Sequence, residues 1–538
     1  MSHVIRRCAI AVLAVAALAA LLPLQAGAQA QSGGAFLYAF RRNCPDTLNQ
    51  HLSNNTQCRM VARHVLDNLV AVNTATGAVT PWLAESWEIT GGGRIYTFRL
   101  RRGVKFHDGT PFNAEAVRFN FEWTMSPDRP RKGFRYIAMG GTRYIKTDVL
   151  DEYTVRVYFR EPHGAFLTFL SDGGTGIDSP AALRRLGDEY GNRGLIGTGP
   201  FMLQEWVRND RVVLQRNPEY NWGARIFGRT GAAPLERITY RDMPEDPARA
   251  AAVETGEIHA AQVTEPDAAA LRGKANVRIV LVPKAGTVRM LLLNGGKSPT
   301  NDLKVRQAIN AAINKPQLIR LPAWANIGRP AIAVLPSNMV PPEYRGQFNR
   351  LRDENEFDVE RAKRLLEEAG WRPGPDGIRV KGSERLVLDH VIISTDAIWS
   401  QPMQAMLRAI GVEMRFRPGD FNFWIGTTSK GDFTSTIISD SGADAAGMAH
   451  EFFRTGAVYN YWGIRNAEVD RLLDVAVAAS DLETRWQALI PAMRLINQSV
   501  PGVFGWEQDY VFAARTNVEG LLFNEVGYPY FAATTLRP

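Results

Sequence analysis

Cysteine is nearly absent, three residues in 538, and histidine is scarce at eight. No C-x-x-C pair, G-x-S-x-G elbow or G-x-x-x-x-G-K-[ST] loop occurs, so dithiol redox, nucleophile-elbow hydrolysis and P-loop nucleotide chemistry lack their signatures. One metal motif begins and then fails. His450-Glu451-Phe452-Phe453-Arg454 opens like a zincin helix, but Arg454 stands where the second ligand belongs. Internal repeats and low-complexity tracts are missing as well. The net charge of +8 includes Arg6 and Arg7, and the remaining basic residues are interleaved with acids, as in Arg352 to Glu368. That pattern describes a solvated face and not a nucleic-acid groove. The expectation is a protein with no catalytic residues, no metal, no cofactor and no nucleic-acid partner.

What is present is ordinary for a soluble globular chain: 45% hydrophobic and 22% charged residues, with a mean hydropathy of −0.19. The length exceeds what one core holds, so two or more packing units are expected. Twelve Trp and 30 Pro favour a large, loop-rich α/β body over a helical bundle.

The N-terminus reads separately. Arg6 and Arg7 precede an apolar run from Cys8 to Leu24, and Ala26-Gly27-Ala28 follows. A charged region, an apolar region and an A-x-A site make residues 1–28 a cleavable secretory signal. A membrane anchor is the rival reading, and the run is short for one. Cys8 opens the run instead of following it, so no lipid anchor is implied. Export leaves Cys44 and Cys58, which read as one disulfide, contributing about 3 kcal/mol by loop closure. A zinc site is the alternative, and no histidine pair at ligand spacing supports it.

The most informative stretch runs from Trp82 to Trp123. Gly91, Gly92 and Gly93 make a turn; Tyr96, Phe98 and Leu100 alternate as a strand; His107 to Pro111 turns again; Ala114 to Trp123 is helical. The wording LAESWE, YTFRLRRGVKFHDGTPF, AEAV closely resembles the family 5 extracellular solute-binding proteins, with Ala116 where that family usually has Asp. Three further stretches resemble the family in the same order: Asp302 to Ile309, Phe357 to Trp371, and Tyr459-Asn460-Tyr461 with Asn466 to Leu473. Ile196 to Phe201 invites a phosphate-loop reading, but strand-like segments follow it, and the family carries such a GTGPF turn.

The resemblance implies an α/β, two-lobed, cleft-containing fold with an extra subdomain inserted in lobe I. Transferred here, lobe I is 29–78, 196–288 and 506–538, the insertion is 79–195, and lobe II is 289–505, with hinge strands near Arg289 and Gln508. It also implies a periplasmic monomer, not inserted in the membrane, that captures a peptide-like or other small polar solute for the permease of an ABC transporter. Asp440 matches the family's amine-binding Asp, although Ile437 and Ser441 replace its aromatic neighbours. Phe40, Arg41, Trp399, Asn460 and Tyr461 are the other cleft candidates; core packing is the competing reading for each aromatic. Alternatives are a secreted peptidase, resting on the broken HEFFR motif, and a chaperone-like or sensor-coupling module.

Overall fold

Apolar runs and turn residues fix the strands, and one strand organises the rest. The computed structural model describes residues 33–538 except 41–43, 45–46, 54, 75–76, 129–133, 323–324, 352–355, 458, 464 and 525. The leader at 1–28 and the candidate Arg41 therefore lie outside the described residues. In chain order, β1 is Ala35–Phe40 and α1 Thr56–Val65; β2 (Ala84–Thr90), β3 (Ile95–Leu100), α2 (Ala114–Met125), β4 (Tyr144–Asp151) and β5 (Thr154–Phe159) follow. Next come β6 (Phe201–Val207), β7 (Arg211–Arg216), β8 (Arg237–Asp242), β9 (Ala260–Gln262), β10 (Val277–Pro283) and β11 (Arg289–Leu293). After α3 (Leu303–Ala312) come β12 (Gly328–Pro330), β13 (Val387–Ile393), α4 (Ala397–Arg408), β14 (Glu413–Gly419) and β15 (Ser435–Ile438). The chain ends through α5 (Ala445–Phe453), α6 (Ala467–Ala478), α7 (Leu482–Ser499) and β16 (Gly502–Arg515).

Twelve of the described strands form one mixed sheet. Its spine is β16, 14 residues and about 45 Å of extended chain. The first part of β16 pairs with β11, from Gly502↔Leu292 to Trp506↔Arg289. Its last part pairs with β10, from Asp509↔Pro283 to Arg515↔Val277, and with β9. Beyond β11 the sheet continues through β15, β13 and β14; beyond β9 it continues through β1, β8, β7 and β6. Two halves of the molecule thus share one strand.

Each half buries the sheet on both faces, and β11 illustrates why its sequence is continuously apolar. Met290 and Leu292 enter one core with Phe452 and Trp486, while Leu291 and Leu293 enter another with Ile309 and Leu407. A period of two sends neighbours to opposite faces, and each buried side chain contributes about 1.5–3 kcal/mol. Local signals set the helices. Asp302 caps α3 by accepting the Lys304 N–H at 2.8 Å, and Asn113 caps α2 through the Ala116 N–H at 3.0 Å.

The segment from Trp82 to Trp123 supplies β2, β3 and α2 to a separate antiparallel sheet, β2-β3-β5-β4, which the later strands β4 and β5 complete. Tyr96, Phe98, Val155, Val157, Val117 and Phe121 form its core. The GTGPF turn lies against the C-terminal end of α1, where a Cβ at Gly199 would meet the His64 carbonyl oxygen at 2.6 Å. Close backbone approach, not phosphate, requires those glycines.

Where β16 changes partners, β12 adds a third segment through Gly328↔Gln508 and Pro330↔Trp506. Arg329 grips β16 with two bonds to Asp509, at 2.7 and 2.8 Å, and one to Glu507 at 3.3 Å. Both carboxylates are buried. Arg329→Ala leaves them without their cation and, because Arg329 is itself 44% exposed and Ser337 still donates to Glu507, is expected to cost about 1–3 kcal/mol, read from the chemical-denaturation midpoint.

His64 clasps the C-terminal segment to α1. Its Nε2 accepts the Phe531 N–H at 2.9 Å, and its Nδ1 lies 2.9 Å from the Met60 carbonyl, which fixes the neutral Nδ1–H form. Burial pushes its pKa down to about 3. The same cause acts on His390, which lies between Ser435 and Ser400 and is also pushed down to about 3. A depressed histidine leaves the folded state unprotonated while the unfolded chain takes the proton, so each withdraws stability as pH falls below about 6.5. In NMR titrations both rings are expected to keep neutral shifts from pH 8 to 5.

Candidate functional site

The two halves face each other across a cleft beside the partner switch of β16. At one rim the loop after β5 meets the end of α6, where the Gly164 N–H donates to the Val477 carbonyl at 3.0 Å. A Cβ at 164 would overlap the Ala479 carbonyl oxygen and lie 2.7 Å from the Val477 oxygen. Nearby, Gly447 of α5 approaches Phe169 of the other half so closely that a Cβ would lie 3.5 Å from its ring. A cavity of about 130 Å³ lies between the halves, lined by Val72, Asn73 and Thr168 on one side and Met339, Asp444 and Trp486 on the other.

The polar centre of the cleft is built by the link between β10 and β11 and the loop after β15. Thr287 and Asp440 exchange two bonds: the Thr287 N–H donates to the Asp440 carbonyl at 2.9 Å, and the Asp440 N–H donates to Thr287 Oγ1 at 2.8 Å. Gly286, at φ +127°, makes the approach possible, since a Cβ there would overlap the Asp440 carbonyl oxygen. One carboxylate oxygen of Asp440 accepts the Ser441 N–H at 2.7 Å; among the described residues nothing donates to the other. Lys284 Nζ donates to Ser439 Oγ at 3.0 Å, and Ser441 Oγ lies 3.1 Å from the Tyr510 hydroxyl of β16.

Both Asp440 and Lys284 are only half-buried by exposed surface, although protein surrounds them on most sides. That is the environment of a narrow cleft. Burial, with Arg289 beside it, pushes the Lys284 ammonium down to about 8, against the pull of Asp440 and Asp396. Burial raises Asp440, opposed by the Ser441 N–H, Lys284 and Arg59. Arg59, on α1, approaches Asp172 at 3.4 Å; burial acts against its charge, but Asp172, Tyr528 and Asp440 hold its pKa above the usual range. One carboxylate, one ammonium and one guanidinium thus converge from both halves. Such a set can bind a small solute carrying both signs of charge.

The other sequence candidates lie in different surroundings. Phe40 is 3% exposed and stacks on Tyr240 at 4.9 Å, with one edge on a small concavity shared with Tyr528. Trp399 stacks on Trp506 at 5.4 Å with the Arg289 guanidinium 4.8 Å from its ring, which places it at the partner switch of β16. The Asn460 amide donates to the Arg454 carbonyl at 2.9 Å and holds the loop after α5. Tyr461 is half-buried, edge-on to Tyr459 at 6.1 Å. Cys44 and Cys58 form a disulfide, which ties the first turn of α1, next to Arg59, to the preceding loop.

Lys284, Arg59 and Glu451 were not singled out from sequence as cleft residues. Glu451 stands in sequence only within the failed zincin motif, and that motif resolves into contacts with one acid: His450 and Arg454 both reach Asp474, at 3.2 and 2.9 Å. Among the described residues, no group of three or more His, Cys, Asp or Glu is placed to hold a metal. No helix there is long and apolar enough to cross a membrane.

Residues 78–460 match the family model described as bacterial extracellular solute-binding proteins, family 5 Middle. The glutathione-binding protein GsiB of Salmonella choleraesuis is 32% identical over 375 residues, 70% of this chain and 67% of that one. The GsiB of Escherichia coli O157:H7 is 31% identical over 329 residues, 61% and 60% of the two chains. Among solved structures, NikA from Brucella suis in complex with Fe(III)-EDTA superposes with a TM-score of 0.80 at 25% identity, covering 94% of this chain and all of that one. DppA from Helicobacter pylori in complex with the peptide STSA gives 0.77 at 24% identity, covering 94% and 98%. The latter likeness concerns the fold.

Proposed function

Because this chain belongs to the family 5 bacterial extracellular solute-binding proteins, we propose that it captures a peptide-like or other small polar solute between two lobes and delivers it to the permease of an ABC transporter. The carrying observation is the mixed-charge centre of the cleft, Asp440, Lys284 and Arg59, assembled from both halves beside the strand they share. A ligand touching both halves stabilises the closed arrangement by its differential affinity, which is the signal a permease reads.

The division we propose makes 29–78, 196–288 and 506–538 lobe I, with 79–195 inserted in it, and 289–505 lobe II. The bending point lies at the link from Pro283 to Arg289 and around Gln508, where β16 exchanges β11 for β10. Asp440 is the solute-contacting acid, with Tyr461 on the same wall; Trp399 supports the hinge. Residues 1–28 direct export to the periplasm, where the Cys44–Cys58 bond persists.

The relatives named for glutathione and the neighbours bound to a peptide or a metal chelate define the panel. Glutathione, di- and tripeptides, opines and nickel chelates are offered singly, and denatured protein is searched by mass spectrometry for co-purified solute. One member is expected to raise the melting temperature; at a hundred times Kd the stabilisation is about 2.7 kcal/mol. Steady conversion of a bound compound by pure protein would overturn the reading. The peptidase alternative finds no support in α5, whose His450 and Arg454 are both occupied by Asp474.

A further inference from the structure

No described cation forms an ion pair with the Glu451 carboxyl. Glu451 lies on α5 one turn after Gly447, whose Cα faces Phe169 of the opposite half, so the two share the helix face that borders the cleft. Its backbone carbonyl accepts the Tyr459 N–H at 3.1 Å, but its half-buried carboxyl accepts no hydrogen bond from any described residue.

The charges around it are otherwise matched. Asp444, at the cap of α5, takes Arg485 of α7 at 2.6 Å. Asp440 has Lys284 and Arg59 within electrostatic reach. On Glu451's own helix, His450 and Arg454 are held by Asp474 of α6. From the following loop, Tyr459 and Tyr461 face this wall as neutral phenols, their pKa values raised by burial. The charges nearest Glu451 are therefore the carboxylates of Asp440 and Asp444, and burial together with these two pushes its carboxyl up to about 7. A half-buried acid beside two others destabilises the folded chain. It favours a cation brought in by a solute.

Building on the solute-capture reading, we propose that Glu451 and Asp440 together form the acceptor for a cationic group of the solute, an ammonium or guanidinium, and that Glu451 sets the selection for solutes carrying one. The arriving cation draws Glu451 into its charged form, so binding near pH 6.5 releases a proton.

The test uses the full exported chain and three probes, Ala-Ala-Ala, Lys-Ala-Ala and N-acetyl-Ala-Ala-Ala, titrated calorimetrically at pH 6.5 in two buffers of different ionisation enthalpy. The wild type is expected to favour the free-amine peptides by about tenfold or more over the acetylated one and to release protons on binding. Glu451→Gln is expected to lose the proton release and most of that preference. Its ligand-free melting temperature should equal or exceed the wild type's at pH 8, where Glu451 is charged at a destabilising cost. Glu451→Asp, which keeps a carboxylate, restores part of the release. If the peptides bind with preference and proton release unchanged in Glu451→Gln, the proposal is overturned and solute capture stands. If none of the three binds the wild type, peptide capture falls and this proposal with it.

Discussion

Gly164→Val is expected to weaken solute binding about a hundredfold without lowering the melting temperature of the ligand-free protein. The residue's φ is outside the left-handed region, so a side chain there carries no backbone strain. Its obstacle is the other half of the molecule. A Cβ would overlap the Ala479 carbonyl oxygen and lie 2.7 Å from both the Ala479 carbonyl carbon and the Val477 oxygen. These are backbone atoms at the end of α6 and cannot rotate away. Separating the two halves would relieve that clash, so the substitution is expected to penalise only closure. A penalty of about 3 kcal/mol on the closed state lowers apparent affinity by about 150-fold, because binding must draw on a smaller closed population. Calorimetry measures the affinity, and small-angle scattering at saturating ligand measures whether the protein still contracts. Wild-type affinity in Gly164→Val would mean that this rim does not meet during capture.

The second large effect is expected from Asp440→Asn. The side chain keeps its shape and its bond from the Ser441 N–H, but loses the charge that faces Lys284 and Arg59. For a solute with a free ammonium the loss is that of a charge-assisted hydrogen bond in a narrow cleft, about 2–3 kcal/mol or 30- to 150-fold. Ligand-free stability should hold or rise slightly, since burial already disfavours the Asp440 carboxylate. Equal affinity in wild type and variant would move the amine site away from Asp440. A matched loss for acetylated and free-amine forms of one solute would show instead that the loop after β15 had been disturbed.

Much of the architecture was legible because its causes are local. The alternation of Tyr96, Phe98 and Leu100 became β3, and the stretches that begin at Asp302 and Phe357 hold helices capped by Asp302 and Asp358. The continuous apolar run from Met290 to Leu293 is buried on both faces for the reason its composition gives. The cleft was less legible because it is made of distant pairs. Lys284 reaches Ser439 across 155 residues of sequence, and Arg59 approaches Asp172 across 113. Nothing around either residue advertises the contact. Single aromatics were ambiguous for a different reason: a Phe that ends a strand serves a core and a cleft wall equally well in sequence. Phe40 went to the core against Tyr240, and Trp399 to the junction under Trp506. Glu451 carries no signal of its own in sequence, because the absence of a partner for its carboxyl exists only in three dimensions.

The continuous ladder of β16 also orders events in time. A ribosome making this protein releases the other eleven described strands of the large sheet before it supplies Gly502–Arg515, the strand that joins the two halves. Neither half can complete its hydrogen bonding before then. The large sheet closes late, so a chain cut short near residue 500 is expected to lose the protease resistance of both its halves.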